Sequence, residues 1–400
     1  MADIGIQAGH AATPGGLWPL VAYFFRLGAT GFGGPVALAG AMRRDLVERR
    51  GWVDEDEYAL ALALAQLMPG PLAAQLAIAL GFFQAGVLGA TLVGLAFILP
   101  SFTMVVGLAA LYVAYGGLWW MQALFYGIGA AVIAIIALAA IKLARGTAKR
   151  DPLLWGICGA LFVITIWAQA ELAQFFVLAG LLTLIVKAPP TWRWGHRAAR
   201  GLVAWPLALP ALPAVVGTAT GGAALLPLLL FFAKAGAFVF GSGLAIVPFL
   251  QQGVVQQYGW LNEGQFRDAV AVAMITPGPV VITVAFIGYL VAGLPGAVAA
   301  AVGIFLPVYL LTILPAPWFR RHRDNAQLKA FVLGATAAAT RALAGAVAVL
   351  GWRTIVDPPT AAIALVSLGA LWRFKVPEPA LVAVAGLAGL ALWALTHGVG

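Results

Sequence analysis

The sequence predicts an all-α polytopic membrane protein: two inverted-topology repeats of about five crossings each, with one re-entrant Pro-Gly-Pro hairpin per half. Three observations predict it. Apolar runs of spanning length recur from end to end, the second half of the chain repeats the first, and basic residues fall in mirrored loops of the two halves.

The apolar runs follow from composition. The chain has 400 residues, 63% hydrophobic and 9% charged, with mean hydropathy +0.98. A soluble domain carries a charged share near a quarter, and about 20 apolar residues cross a hydrocarbon core. The runs lack β-barrel alternation, which points to a helical inner membrane. A net charge of +9 and a pI near 10 could suggest nucleic acid. The basic residues instead sit in short clusters between apolar runs, as the positive-inside rule requires of cytoplasmic loops, so no nucleic-acid partner is expected. The partner is the lipid bilayer. Cys158 is the single cysteine, so intrachain disulfides are excluded. His10, His196, His322 and His397 show no metal-ligand spacing, and no cofactor is expected. No cleavable signal peptide is legible at the N-terminus.

The repeat rests on rare residues at fixed spacing. Phe24 to Gly34 matches Phe232 to Ser242 at an offset of 208 residues, and at that offset Trp52 meets Trp260, Glu55 meets Glu263, and Pro69-Gly70-Pro71 meets Pro277-Gly278-Pro279. At 207, Gly81 meets Gly288, Gly86 meets Gly293, Gly89-Ala90 meets Gly296-Ala297, and Pro100 meets Pro307. The expected divisions are an N-terminal repeat at 1–187, a linker with an unplaced Pro-rich segment at 188–224, and a C-terminal repeat at 225–400.

Charge breaks the symmetry. Arg43, Arg44, Arg49 and Arg50 have no basic counterpart between Gln251 and Gln265, whereas Arg320, Arg321, Arg323 and Lys329 answer a neutral turn near 115–122. Lys142, Arg145, Lys149 and Arg150 are matched only by Arg353. Equivalent loops therefore belong on opposite sides of the membrane. Parity then requires that one apolar segment between 50 and 142 does not cross. The segment holding Pro69-Gly70-Pro71 is the natural one, since Pro removes a donor and Gly permits a turn. The crossings fall near 17–40, 87–115, 122–141, 153–168 and 172–186, then near 225–250, 293–316, 330–352, 360–373 and 378–396. Both termini are then periplasmic.

Three features carry candidate chemistry. The first is the glycine-rich Gly31-Phe32-Gly33-Gly34-Pro35 and its partner Phe240-Gly241-Ser242-Gly243. Glycine there serves either close helix packing or an unwound stretch whose N–H groups bind an anion. The second is the pair of Pro-Gly-Pro breaks, with Gln66 three residues before one and Thr276 just before the other. Such breaks aim half-helix N-termini at anions, or are structural kinks. The third is intramembrane cation: Arg26, Lys234 and Arg341 interrupt apolar runs. They mark a substrate path, or Arg26 and Lys234 snorkel to an interface. Arg267 and Asp268 open the second Pro-Gly-Pro segment and read as a pair. No deep proton-relay carboxylate is legible. A buried catalytic set is also absent, which argues against an enzyme.

At these motifs the chain resembles the chromate ion transporter family in its long form. The match rests on Phe32-Gly33-Gly34-Pro35 with Trp52, Gln66-x-x-Pro69-Gly70-Pro71, Gly81, Gly86, Gly89 and Pro100, then Phe240-Gly241-Ser242-Gly243, Trp260 and Thr276-Pro277-Gly278-Pro279. The resemblance implies chromate export from a bacterial cell across the inner membrane, conferring resistance, with sulfate as the competing anion. The drive it implies is the membrane potential or a proton gradient. The alternatives are a carrier of sulfate or another oxyanion, and an anion channel. The expected ligands are Arg26, Lys234, Gly33, Gly34, Gln66, Gly241, Ser242 and Thr276, with the two Pro-Gly-Pro breaks as gates. Oligomeric state stays open, a homodimer included.

Overall fold

A computed structural model of the chain describes residues 16–32, 35–115, 119–148, 156, 173–189, 224–238, 246–322, 357–374 and 376–396, with scattered residues between 326 and 355. The described secondary structure is helical, with no strand. The first half runs α1 (Leu17–Thr30), α2 (Pro35–Met42), a π-helical turn (Arg43–Arg49), α3 (Glu55–Leu67), α4 (Leu72–Tyr115), α5 (Trp119–Ala148) and α6 (Ala173–Lys187). The second runs α7 (Leu225–Phe238), α8 (Val247–Gln251), a π-helical turn (Gln252–Gln257), α9 (Glu263–Ile275), a short 3-10 turn (Val280–Ile282), α10 (Thr283–Ile313), α11 (Ala316–His322), α12 (Pro358–Arg373) and α13 (Glu378–Thr396). Among the described residues three helical stretches are long and apolar enough to span a bilayer, at 72–115, 119–138 and 280–319.

Polar side chains start the helices that begin in loops. The Asp54 carboxylate accepts from the Asp56 N–H, and acidic Glu55, Asp56 and Glu57 fill the first turn of α3, where the helix dipole favours negative charge. Asn262 and Gln265 form a capping box on α9, as Asp357 and Thr360 do on α12.

The repeat seen in the letters is also a repeat of backbone conformation. Both halves carry a π-helical turn ahead of a positive-φ glycine, Gly51 at 59° and Gly259 at 60°. The long helices break at the same place. Ala85 and Gly86 lie at φ/ψ of −146/30° and 60/−145°, and Ala292 and Gly293 at −144/28° and 62/−152°. Each break folds its helix back so tightly that a Cβ on Gly81 would strike the Gly89 carbonyl, and one on Gly288 the Gly296 carbonyl. Residues 87–115 and 294–313 then run on as the second limbs of α4 and α10. Glycine is required at the breaks because φ near +60° with strongly negative ψ is open to almost no other residue. Gly86→Ala and Gly293→Ala should each destabilise by about 1–3 kcal/mol, the cost of a strained backbone residue. No atom lies within 4 Å of an added Cβ at Gly86 or at Gly107, but Gly107 is an ordinary helical glycine. Thermal unfolding of purified protein should therefore separate Gly86→Ala from a neutral or stabilising Gly107→Ala.

Packing is arranged around α4 and α10, which pack against each other in the middle of the molecule. Thr91 Oγ1 and Tyr309 Oη share a hydrogen bond of 2.7 Å across that contact, beside buried Ile78, Ala90 and Val308. α1 lies on α4 and α7 on α10, with Gly28 against the Phe97 carbonyl and Gly236 against the Ile304 carbonyl. Helices α12 and α13 pack on α5.

The expected crossing at 17–40 is not one continuous helix. α1 ends at Thr30, Gly31 is extended, and helix resumes at Pro35. Of the glycines in that motif and its partner, Gly31 is described, and it is unwound; Gly28, one turn earlier, serves close packing. The mirrored loops differ in chemistry while keeping their shape. In the first, the Arg50 guanidinium stacks 4.5 Å over the Trp52 ring, and Arg43 pairs with Glu55 at 3.0 Å and Glu48 at 2.8 Å. The Glu55 carboxylate raises the Arg43 pKa further. In the second, Tyr258 stacks on Trp260 at 4.5 Å, so an aromatic ring stands where the first half has a guanidinium.

Candidate functional site

The two Pro-Gly-Pro breaks sit inside the protein, and one of them ties the halves together. α9 ends at Ile275, where Thr276 Oγ1 donates back to the Val272 and Ala273 carbonyls at 3.1 and 3.2 Å. Pro277, Gly278 and Pro279 are buried. The Gly278 N–H donates 2.9 Å to the Gly31 carbonyl, in the unwound stretch after α1. Ser101, just past Pro100 in α4, donates from Oγ to the Gly28 carbonyl at 3.2 Å. Carbonyls at the end of a helix lack partners within it, so the α1 terminus is completed by α4 and by the break of the opposite half. Gly278 has φ 96°, and a Cβ on it would collide with Ser101 Oγ.

The first break is organised differently. Gly70 is buried with φ 144°, and the Gln75 amide fills the space a Cβ would take, 2.7 Å away. Gln75 is fully buried; its Nε2 donates to the Pro69 carbonyl at 2.8 Å, while its Oε1 is buried without a hydrogen-bond partner. Its repeat counterpart Thr283 caps the equivalent turn by donating to the Val280 carbonyl at 2.8 Å. Gln75 was legible in principle, as the one polar side chain in the apolar run 72–83.

The expected ligands are scattered by comparison. Arg26 and Lys234 are both exposed, on the faces of α1 and α7 away from Phe24 and Phe232. At about 100° per residue, each lies roughly 80° around its helix from the outward apolar residue, Trp18 or Leu226. On α1 Ala22, one turn before Arg26, is exposed as well, so that cation lies within the outward face. Gln66 is exposed at the end of α3, and Thr276 is buried as a cap. Gly33, Gly34, Gly241, Ser242 and Arg341 lie outside the described residues.

Among the described residues one carboxylate is buried within the protein. Asp268 is 7% exposed, and its Oδ2 accepts a hydrogen bond of 2.9 Å from Tyr112 Oη, on the second limb of α4. Arg267 Nε stands 3.7 Å from Asp268 Oδ1. In the sequence Arg267 and Asp268 read only as a pair opening the Pro-Gly-Pro segment; the packing of α9 against α5 and α13 is what buries Asp268. Among the described residues no grouping of His, Cys, Asp and Glu could hold a metal ion.

The family model described as chromate transporter matches residues 18–186 and 226–390, one match for each half. The chain belongs to the chromate transporter family. It is 56% identical over 394 residues to the chromate transport protein of Cupriavidus metallidurans, covering 97% of this chain and 96% of that one. It is 53% identical over 377 residues to the probable chromate transport protein of Synechococcus elongatus, covering 94% and 95%. A chromate transport protein of Pseudomonas aeruginosa is 31% identical over 400 residues, covering 92% and 91%. No solved structure matches. The family is one of membrane transporters and not of enzymes, and the apolar spanning helices fit a multi-pass chromate transporter.

Proposed function

We propose that this chain is a secondary active transporter that exports chromate across the bacterial inner membrane, binding the dianion between two inverted repeats at their broken helices, and that it confers chromate resistance. The observation that carries the reading is the Gly278 N–H bond to the Gly31 carbonyl, which seats the break of one half on the unwound segment of the other. A carrier needs an irregular backbone only where it lines a site between its repeats. The half-helix N-termini beginning at Leu72 and Val280 offer partial positive charge, and Arg26 and Lys234 supply full charge at repeat-related positions. Gln66, Thr276, Ser242 and the glycines Gly33, Gly34 and Gly241 complete the proposed lining, with Arg341 as a further charge and Pro69, Gly70, Pro71, Pro277, Gly278 and Pro279 as gates.

The repeats at 1–187 and 225–400 are taken as inverted, with 188–224 a cytoplasmic linker, re-entrant hairpins at the breaks and both termini periplasmic. The conserved shape and exchanged charge of the Arg50–Trp52 and Tyr258–Trp260 loops support this, since basic loops stay cytoplasmic. The test is uptake of radiolabelled chromate into inverted vesicles energised for export. Chromate should accumulate only in vesicles holding the protein, with excess sulfate competing weakly. Accumulation of sulfate in place of chromate, or equal flux in right-side-out vesicles under the same gradient, overturns the reading.

A further inference from the structure

Among the described residues the cluster of Arg267, Asp268 and Tyr112 is the buried ionic assembly that the proposed chromate path leaves unused, and its geometry is unfinished. Asp268 Oδ1 and Arg267 Nε are both buried and neither has a hydrogen-bond partner. Their 3.7 Å separation is an ion pair too long to be a hydrogen bond. The Arg267 side chain keeps 29% of its surface exposed against 10% for Asp268, so the cation is the more accessible partner. The stem of Arg267 lies across Gly129 of α5, where a Cβ would come within 2.8 Å of Cδ and 3.0 Å of Nε. Tyr112 is wedged edge-on between Phe125 of α5 and Phe286 of α10. The cluster thus joins α4 and α5 of one half to α9 and α10 of the other.

The repeat supplies an internal control. The positions equivalent to Arg267, Asp268 and Tyr112 are Ala59, Leu60 and Phe319, an apolar set in which Phe319 is fully buried, Leu60 half-buried and Ala59 exposed. α3 and α11 make the contact there that α9 and α4 make here. The first half thus makes the equivalent helix contact without an ion pair. A buried ion pair is seldom more stable than apolar side chains of similar volume, so packing does not account for it.

We propose, resting on the reading of the chain as a chromate carrier, that Arg267 is an anion-binding residue shared between Asp268 and the transported oxyanion, and that anion binding is linked to proton uptake by Asp268. In the empty site the guanidinium balances the carboxylate. A tetrahedral dianion takes the guanidinium through its fork of donors. Asp268 is then a buried carboxylate facing a dianion, and it neutralises by taking one proton onto a carboxyl oxygen. Tyr112 keeps the acid in place in both states, since its hydroxyl can donate to the carboxylate or accept from the acid. The other titratable or charged groups on the packed elements are Tyr115 on α4, Tyr126 and the distal Lys142 and Arg145 on α5, Tyr289 and Tyr309 on α10, Glu263 on α9, and Glu378 on α13. Tyr126 bonds Asp357, and Glu263 accepts from Gln251. Among the described side chains Asp268 bonds or pairs with Tyr112 and Arg267.

The test measures chromate affinity of the purified full-length protein against pH, over an alkaline range where the free anion is a dianion. Wild-type affinity should weaken as pH rises. Asp268→Asn, a neutral stand-in for the protonated acid, should bind with one affinity at every pH. Arg267→Gln should lose at least tenfold throughout. Tyr112→Phe, which copies Phe319, should carry the pH profile to higher pH by removing a donor that favours the charged acid. Should Asp268→Asn fail to fold, Arg267→Ala/Asp268→Leu copies the apolar set of the first half and should fold without pH-linked binding. A wild-type slope in Asp268→Asn, or normal affinity in Arg267→Gln, overturns this inference and leaves chromate transport standing. Wild-type protein that binds no chromate at any pH overturns the transport reading itself.

Discussion

Gly278→Ala should abolish chromate transport in vesicles while the protein still inserts and purifies. The new methyl group has nowhere to go. Ser101 Oγ occupies its position, the backbone at φ 96° disfavours any L side chain, and the Gly278 N–H must stay within 2.9 Å of the Gly31 carbonyl. The break would have to back away from the unwound end of α1, separating the two halves at the proposed anion path. The strain of such a residue is about 1–3 kcal/mol, which a chain of this size can absorb, so the loss should fall on transport more than on folding. A companion variant distinguishes crowding from a general backbone effect. Ser101→Gly removes both the Oγ and the Cβ that stand against residue 278, so Ser101→Gly/Gly278→Ala should recover part of the lost rate. Wild-type transport by Gly278→Ala would show that the junction does not matter to the carrier cycle. No recovery in the double variant would place the defect in the backbone of the break alone.

Which features were legible in the sequence follows from how each is encoded. The repeat was readable because the backbone breaks demand particular residues: Gly86 and Gly293, Gly51 and Gly259, Gly70 and Gly278 all stand at positive φ. A residue fixed by its own backbone leaves a mark that needs no partner to interpret. The same holds for the helices, whose apolar length is local information, and for the basic loops. Contacts between elements far apart in the chain are encoded in pairs and left no such mark. Nothing about Ser101 in isolation indicates that it reaches the Gly28 carbonyl 73 positions away, and Tyr112 and Asp268 are 156 apart. Arg267 and Asp268 were visible as adjacent letters, but adjacent residues on a helix point in different directions. Their inward placement depends on α9 packing against α5 and α13, which no periodicity within α9 announces. Gln75 illustrates the intermediate case: its isolation among apolar residues was visible, while its role in filling the hollow over Gly70 was not.

Arg26→Gln and Lys234→Gln should each lower the chromate transport rate at least tenfold, about 1.4 kcal/mol in the rate-determining barrier, and the double variant should be inactive. The two residues share a repeat position, each two residues before the glycine that meets a carbonyl of the neighbouring long helix, Gly28 on Phe97 or Gly236 on Ile304. Arg26 ends one turn before the unwound segment, and Thr30 Oγ1 donates to its carbonyl at 2.8 Å, closing the last turn of α1. A cation here is costly, roughly 2.5–3.5 kcal/mol near a bilayer centre on insertion scales. Exposure of both side chains leaves two environments open to them, lipid headgroups or a water-filled path, and these predict different things. Snorkelling needs only a long cation, so Arg26→Lys and Lys234→Arg would both be silent. An anion path distinguishes the two, because guanidinium offers a planar fork and ammonium a point charge. Arg26→Lys should therefore weaken apparent chromate affinity, seen as a raised KM, while insertion is unchanged. An inverted arrangement of the repeats would add a directional signature. If the two charges serve opposite faces of the carrier, Arg26→Gln and Lys234→Gln should raise KM unequally when chromate is presented to one face of the vesicle, with the order reversed from the other face. Equal effects from both faces would place both cations in a single shared site, and no effect of either Gln substitution would assign them to the lipid interface.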